Sequence, residues 1–271
     1  QNVLRSIGNA KSKFISSIGR LASGKRILKA SDDAAGLSIA TRLNSDIIAL
    51  QKSVDNISQG INLTNVAEGG LKSINNILSE AKALAVQAST GTLNDSQRTA
   101  IQSQFSSLIN EVDRIVEGTE FNGNRLLDGT LSKNAPELNV QVGAENKSSS
   151  KVNLNVIENV GTKSLGIKTL ELSSQASAQN ALGSINSAIQ KVIDIRGNIG
   201  SIQKRFTSIT GTQKTEVEQL TNALSEISDA DFSAEISRLR KSEIQLNASL
   251  KALQQSRFSS KNIGSLLDIS T

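Results

Sequence analysis

The sequence has no cysteine and no histidine. Those two absences remove zinc fingers, haem ligation, iron–sulfur clusters, cysteine nucleophiles and Ser-His-Asp triads, and they leave no disulfide to form. Tryptophan and tyrosine are also absent and phenylalanine occurs six times. Platforms for stacking single-stranded bases are therefore missing and the usual interface anchors are scarce, so no nucleic-acid partner is expected. A single proline in 271 residues fits long uninterrupted helices, because an interior proline costs about 3 kcal/mol. No apolar run approaches about 20 residues, so no membrane span is expected. The basic start is not followed by the apolar stretch of a cleavable secretory signal.

What is present is unevenly placed charge. The net charge is +5, yet Arg5, Lys11, Lys13, Arg20, Lys25, Arg26 and Lys29 all lie in residues 1–29, where no acid occurs. Two readings follow. Lys11, Lys13, Arg20, Lys25, Arg26 and Lys29 could contact a polyanion, which would make the chain a cell-surface adhesin or receptor for acidic polysaccharide. The plainer reading is a solvated helix face, or one that pairs with acidic neighbours on assembly.

Apolar spacing organises the chain. Val3, Ile7, Ala10, Phe14, Ile18 and Leu21 recur every three or four residues, as one helical stripe does. Gly24, Ser31, Asp32, Asp33 and Gly36 interrupt it with a cap-rich connector. Ile47, Leu50, Val54, Ile57, Ile61, Thr64, Leu71, Ile74, Leu78 and Ala81 then form a heptad; a helix over 44–88 would be about 65–70 Å long, which implies a rod. Thr92, Asn94 and Asp95 offer N-caps for a third helix with Ile101, Phe105, Leu108, Val112 and Ile115 on one face. Phe121-Asn122-Gly123-Asn124 breaks it. The one strand signal is the alternation of Leu138, Val140, Val142 with Val152, Leu154, Val156, read as a hairpin. Three-four spacing resumes from Leu182 to Ile227, a second connector covers 228–231 with Ser228 or Asp231 as cap, and a terminal helix carries Ile236, Leu239, Leu246, Leu250 and Leu253. The expected fold is mainly α: an elongated antiparallel helical bundle or coiled-coil rod with one small β-hairpin near 138–157. Heptad seams need a partner, and the terminal helices find theirs in each other or in other copies.

Catalytic look-alikes are weak. Residues 19–25 spell the opening of a P-loop, but Arg26 stands where Ser or Thr would hold magnesium and no strand precedes it. Ser79/Lys82 and Ser201/Lys204 have serine–lysine hydrolase spacing without the companion motifs. The pairs Glu111/Asp113 and Asp229/Asp231 lack the sugar platforms a glycosidase needs. No enzyme activity, metal or cofactor is expected.

Two connectors and their flanks resemble bacterial flagellin. Leu21–Ile27 running into Ser31–Ala40 is similar to the family's N-terminal signature, and Ala67–Leu71, Leu84–Ala88, Asn110–Ile115 and Phe121–Gly123 follow in the family's order. Asn139–Gly143 resembles its hairpin, and Asp229–Glu235 with Ser265–Leu267 its C-terminal signature. The hook–filament junction protein shares the terminal helices, but the Asp32–Gly36 and Asn110–Ile115 matches favour the filament subunit.

The resemblance implies a structural subunit that polymerises into the flagellar filament for motility, outside the cell. Residues 1–40 and 234–271 would be disordered in the monomer and form an inner coiled-coil tube on assembly, around which 41–233 would form the helical rod domain. It also implies export through the flagellar type III system with a chaperone on the C-terminal helix, and contacts with hook–filament junction and cap proteins. Variable outer domains are missing, which makes this a short form. Gln1 falls inside the family's N-terminal helix, which suggests truncation or processing. Leu21, Ile27, Leu37 and Ile39 are expected to seat the N-terminal connector. Asp32 and Asp33 would cap it and tie it to Arg42 or Arg238, while Ile236, Leu239, Leu246, Leu250 and Leu253 line the terminal seam. Many flagellins are detected by a Toll-like receptor of animal hosts that reads the rod domain. The Arg and Glu used there align with Glu80 and Gln104, while Leu84 is retained, so weak activation is expected: a reversed charge at a central contact adds repulsion.

Overall fold

The computed structural model describes residues 2–133 and 135–268. Its contacts divide the chain into two compact units, one formed by Gln1–Ile47 with Glu218–Thr271 and the other by Ile48–Val217. Six helices are present among the described residues: α1 (Asn2–Ser23), α2 (Ala34–Ala88), α3 (Asp95–Gly118), α4 (Thr162–Leu165), α5 (Gln175–Ser228) and α6 (Phe232–Asp268). Strands β1 (Glu120–Phe121), β2 (Asn124–Arg125), β3 (Asn139–Gln141) and β4 (Lys151–Asn153) form two separate antiparallel pairs.

Helix ends follow the cap chemistry of the sequence. Asp33 Oδ1 accepts from the Gly36 amide at 2.8 Å and opens α2. Asn94 and Gln97 bond each other's amides in a reciprocal capping box at the start of α3. Ser174 Oγ accepts from the Ser177 amide to open α5, and Asp231 Oδ1 accepts from the Ala234 amide to open α6. Of the candidate caps, Asn94 and Asp231 hold the position. A Cβ at Gly36 would press on the Asp33 carboxylate and stand 2.9 Å from Ile27 Cδ1, so those side chains would have to shift.

The unit Ile48–Val217 has a continuous apolar core. Ile57, Leu71, Ile74 and Leu78 of α2 meet Ile101, Phe105, Ile109, Val112 and Val116 of α3 and Ile185, Val192, Ile199 and Phe206 of α5. Buried alanines (Ala67, Ala81, Ala85, Ala88, Ala178, Ala181 and Ala188) allow the close approach of helices that such a core needs. On α3 the buried line runs through Ile109 and Val116, one position beyond the expected Leu108 and Ile115, which are only partly buried. Polar ties fix the antiparallel register of α2 and α5: Arg196 donates to Glu68 at 2.9 and 2.7 Å, Gln203 to Asn65 at 3.0 Å, and the buried Gln213 to Ser53 at 3.0 Å. Arg98, only 7% exposed, closes α2 by donating to the carbonyls of Ala88 at 3.1 Å and Thr90 at 2.8 Å.

The expected hairpin is present with three residues in each strand, Val140 opposite Val152. Its pairing continues through Val142 N to Ser150 O and Leu154 N to Leu138 O. A second hairpin corrects the sequence reading. Phe121–Asn124 does more than break a helix: Asn122 (φ 51°) and Gly123 (φ 78°) turn β1 into β2, the positive-φ pair that a tight hairpin turn requires.

Candidate self-assembly surface

The unit containing both termini is built on an antiparallel seam. Ala10, Phe14, Ser17 and Leu21 of α1 recur at intervals of four and three, as do Glu235, Leu239, Ser242 and Leu246 of α6, and each of these positions is buried or half-buried. Leu253 continues the α6 line, half-buried. The connector end of the seam is polar. Glu235 is 3% exposed; its Oε2 accepts from Arg238 Nη1 at 3.1 Å, and its Oε1 lies 3.9 Å from Arg20 Nη1. Ser17 and Ser242 are buried nearby, and Ser242 returns its hydroxyl proton to the Leu239 carbonyl. Buried polar residues in a helical seam fix register at some cost in stability.

The phase of this seam corrects two expectations. Ile236 (49% exposed) and Leu250 (42%) do not line it. Ile236 sits one position past Glu235 and Leu250 one past the half-buried Ser249, about 100° around the helix, and so each stands on the flank. Ile18 is displaced from the α1 seam in the same way. Apolar side chains left outside include Leu4, Ile15 and Ile18 on α1 and Ile236, Ile244, Leu250 and Phe258 on α6.

Two connectors are clasped together. Gly24 (φ 68°) ends α1 in the left-handed conformation. The next residues then run antiparallel to the second connector: Arg26 N donates to Ser228 O at 2.7 Å, Ala230 N to Gly24 O at 2.9 Å, and Lys25 bridges Asp229. The Arg26 guanidinium adds two bonds to the Ile227 carbonyl, at 3.2 Å from Nε and 2.7 Å from Nη2. A cation on a terminal carbonyl of α5 complements the negative end of that helix. Asp32 Oδ2 accepts the amides of Leu28 and Lys29, both at 3.0 Å. The Leu28 bond and then the Lys29 bond hold this carboxyl below the usual aspartate range.

Ile27 is buried under the connector, Leu21 and Leu37 are half-buried, and Ile39 is 51% exposed with Ala40 buried in its place. No ion pair joins Asp32 or Asp33 to Arg42 or Arg238 among the described residues. Arg238 is held by Glu235, and Arg42 is exposed. Of the basic set, Arg20 faces Glu235 and Arg26 bonds Ile227, whereas Lys11, Lys13, Lys25 and Lys29 are exposed. Glu80 and Gln104 are exposed on α2 and α3, with Leu84 half-buried.

The groups that resembled catalytic motifs are bound into the fold. Ser79 and Ser201 donate to the carbonyls of Asn75 and Asn198 on their own helices. Glu111 pairs with Arg114, which holds its carboxyl below the ordinary glutamate value. Asp113 accepts from the amide and hydroxyl of Thr162 at 2.9 and 2.8 Å. Asp229 accepts the hydroxyls of Ser225 and Ser228, and Asp231 caps α6. No metal-binding group of His, Cys, Asp and Glu side chains occurs among the described residues, and no helix there is long and apolar enough to cross a membrane.

Paired terminal helices with apolar flanks left open, together with a separately packed helical core, are features of a self-associating helical protein. Family models place it further. The bacterial flagellin N-terminal helical region matches residues 1–132 and the C-terminal helical region residues 182–267. Flagellin of Bacillus subtilis (strain 168) is 33% identical, the alignment covering 98% of this chain and 96% of the relative. A flagellar filament 30.7 kDa core protein of Treponema maltophilum is 30% identical over 97% of this chain and 95% of the relative. The crystal structure of Bacillus cereus flagellin superposes with a TM-score of 0.51 at 29% identity, covering 59% of this chain and 88% of that one. The chain belongs to the bacterial flagellin family, as a structural subunit of the flagellar filament.

Proposed function

We propose that the unit formed by residues 1–47 and 218–271 supplies the contacts that join subunits, while residues 48–217 fold as a finished body before assembly. One observation carries this reading: of the fourteen large apolar side chains exposed among the described residues, ten belong to the terminal unit and four to the larger one. Leu21, Ile27 and Leu37 anchor the connector from which the terminal helices emerge. Leu239, Leu246 and Leu253 hold α6 on α1, which leaves Ile39, Ile236 and Leu250 for neighbouring copies. Each of these is already about half buried, so covering the rest contributes roughly 0.7–1.5 kcal/mol per residue.

The role we assign is structural. In the same reading the chain reaches the cell exterior through the flagellar type III system, with a chaperone over the open flank of α6. Junction and cap proteins would bound the polymer. Nothing observed favours the polysaccharide-binding alternative, since Arg20 and Arg26 are spent on internal bonds.

Amide exchange compared between monomer and filament tests the assignment. Protection gained on assembly is expected to concentrate in 1–47 and 218–268. A gain confined to 48–217 would overturn it.

A further inference from the structure

In the terminal unit a basic cleft lies beside the α1–α6 seam, and a run of carboxylates lies at the end of α5. The cleft, of about 460 Å³, is lined by Lys13, Ser17 and Arg20 from α1 and by Glu235, Arg238 and Lys241 from α6, among others. Four cations thus face one carboxylate, and that carboxylate is buried and already engaged by Arg20 and Arg238. Lys13 and Lys241 are exposed and take part in no ion pair among the described residues. Residues 215–231 contain Glu216, Glu218, Glu226, Asp229 and Asp231 and no Lys or Arg. Asp229 and Asp231 serve the connector, but Glu218 and Glu226 are exposed and likewise form no ion pair.

We propose that the cleft between α1 and α6, through Lys13 and Lys241, receives the acidic stripe Glu218/Glu226 on α5 of a second copy. The proposal rests on the terminal-unit reading above and names one of its contacts. Its basis is complementarity on one polypeptide: unpaired cations around a cleft with a surplus of positive charge, and the unpaired carboxylates Glu218 and Glu226 on a helix stretch with no Lys or Arg of its own, whose end Lys25 and Arg26 of the connector contact through Asp229 and the Ile227 carbonyl. Because donor and acceptor are different surfaces, the contact is heterologous. Every added subunit then presents a fresh acceptor, which is the condition for open growth. Complementary charge of this kind governs encounter rate and register more than final affinity, and salt screens it.

Elongation from filament seeds, measured by light scattering on the full chain, tests the contact. Lys13→Glu/Lys241→Glu and Glu218→Lys/Glu226→Lys are each expected to slow growth about tenfold at low salt and far less at high salt. The variant carrying all four changes should recover most of the lost rate. All four positions are exposed, and unchanged helicity by circular dichroism confirms that the fold is intact. Zero-length carbodiimide coupling of the filament should join Glu218 or Glu226 to Lys13 or Lys241 of another copy. Wild-type growth by both double variants, or a four-fold variant no faster than either, would overturn the contact while leaving the terminal-unit reading in place. Failure of that reading is seen separately, as exchange protection confined to 48–217.

Discussion

Arg26 and Ile227 are 201 positions apart in the chain, yet the guanidinium of one donates two hydrogen bonds to the carbonyl of the other. Together with the Arg26 N–Ser228 O and Ala230 N–Gly24 O bonds, this pair fixes where the outgoing and returning halves of the chain meet. Replacing Arg26 by Ala should remove about 0.5–1.5 kcal/mol from the clasp. The amides of Arg26 and Ala230 should then exchange about three- to tenfold faster than in the unaltered protein, with those of the 48–217 core unchanged. Equal rates in both proteins would show that the backbone bonds suffice.

Asp32 gives the connector a dependence on acid. Its carboxyl is depressed by the amides of Leu28 and Lys29. The stabilisation is therefore complete above the ordinary aspartate value and is lost as pH falls through the lower folded value. In an NMR titration the Leu28 and Lys29 amide shifts should move with a midpoint below that of an unstructured aspartate, and Asp32→Asn should abolish the movement. A midpoint at or above the free value would contradict the geometry.

Arg98 carries the end of α2. Its truncation to Ala leaves the Ala88 and Thr90 carbonyls without their buried donor, at a cost of about 2–3 kcal/mol. For a unit of this size that corresponds to a Tm lower by about 5–10 °C. A change of a degree or less would place the cap elsewhere.

Glu80 is exposed on α2, at the position where the family resemblance implies an Arg in receptor-activating flagellins, and we propose that it weakens recognition. Glu80→Arg with Gln104→Glu should raise the signal in a Toll-like-receptor reporter cell at least several-fold over the unaltered chain. Both side chains are on the surface, so the fold is not at stake. An unchanged signal would show that other positions decide recognition.

Much of this architecture is legible in the sequence. The scarcity of proline and the three-four apolar spacing mark the long helices, and Asn94, Asp33 and Asp231 mark their starts. The terminal seam is less legible because three of its buried positions, Ser17, Glu235 and Ser242, are polar. A stripe drawn through apolar residues alone slides onto Ile18, Ile236 and Leu250, one position off. The β1–β2 hairpin escaped for a different reason: its strands have two residues each, too short for alternation to register, although Asn122-Gly123 is itself a hairpin signal. The Arg26–Ile227 clasp depends on a closure across most of the chain, which no local pattern encodes.

The open flank of α6 is where the account is most exposed to test. Ile236→Asp/Leu250→Asp changes two side chains that lie outside the α1–α6 seam and outside the 48–217 core. Seeded assembly followed by electron microscopy, with thermal unfolding on the same samples, is the direct measurement. The account predicts an unchanged unfolding transition for the core and no filaments. Filaments of normal length and number would contradict it.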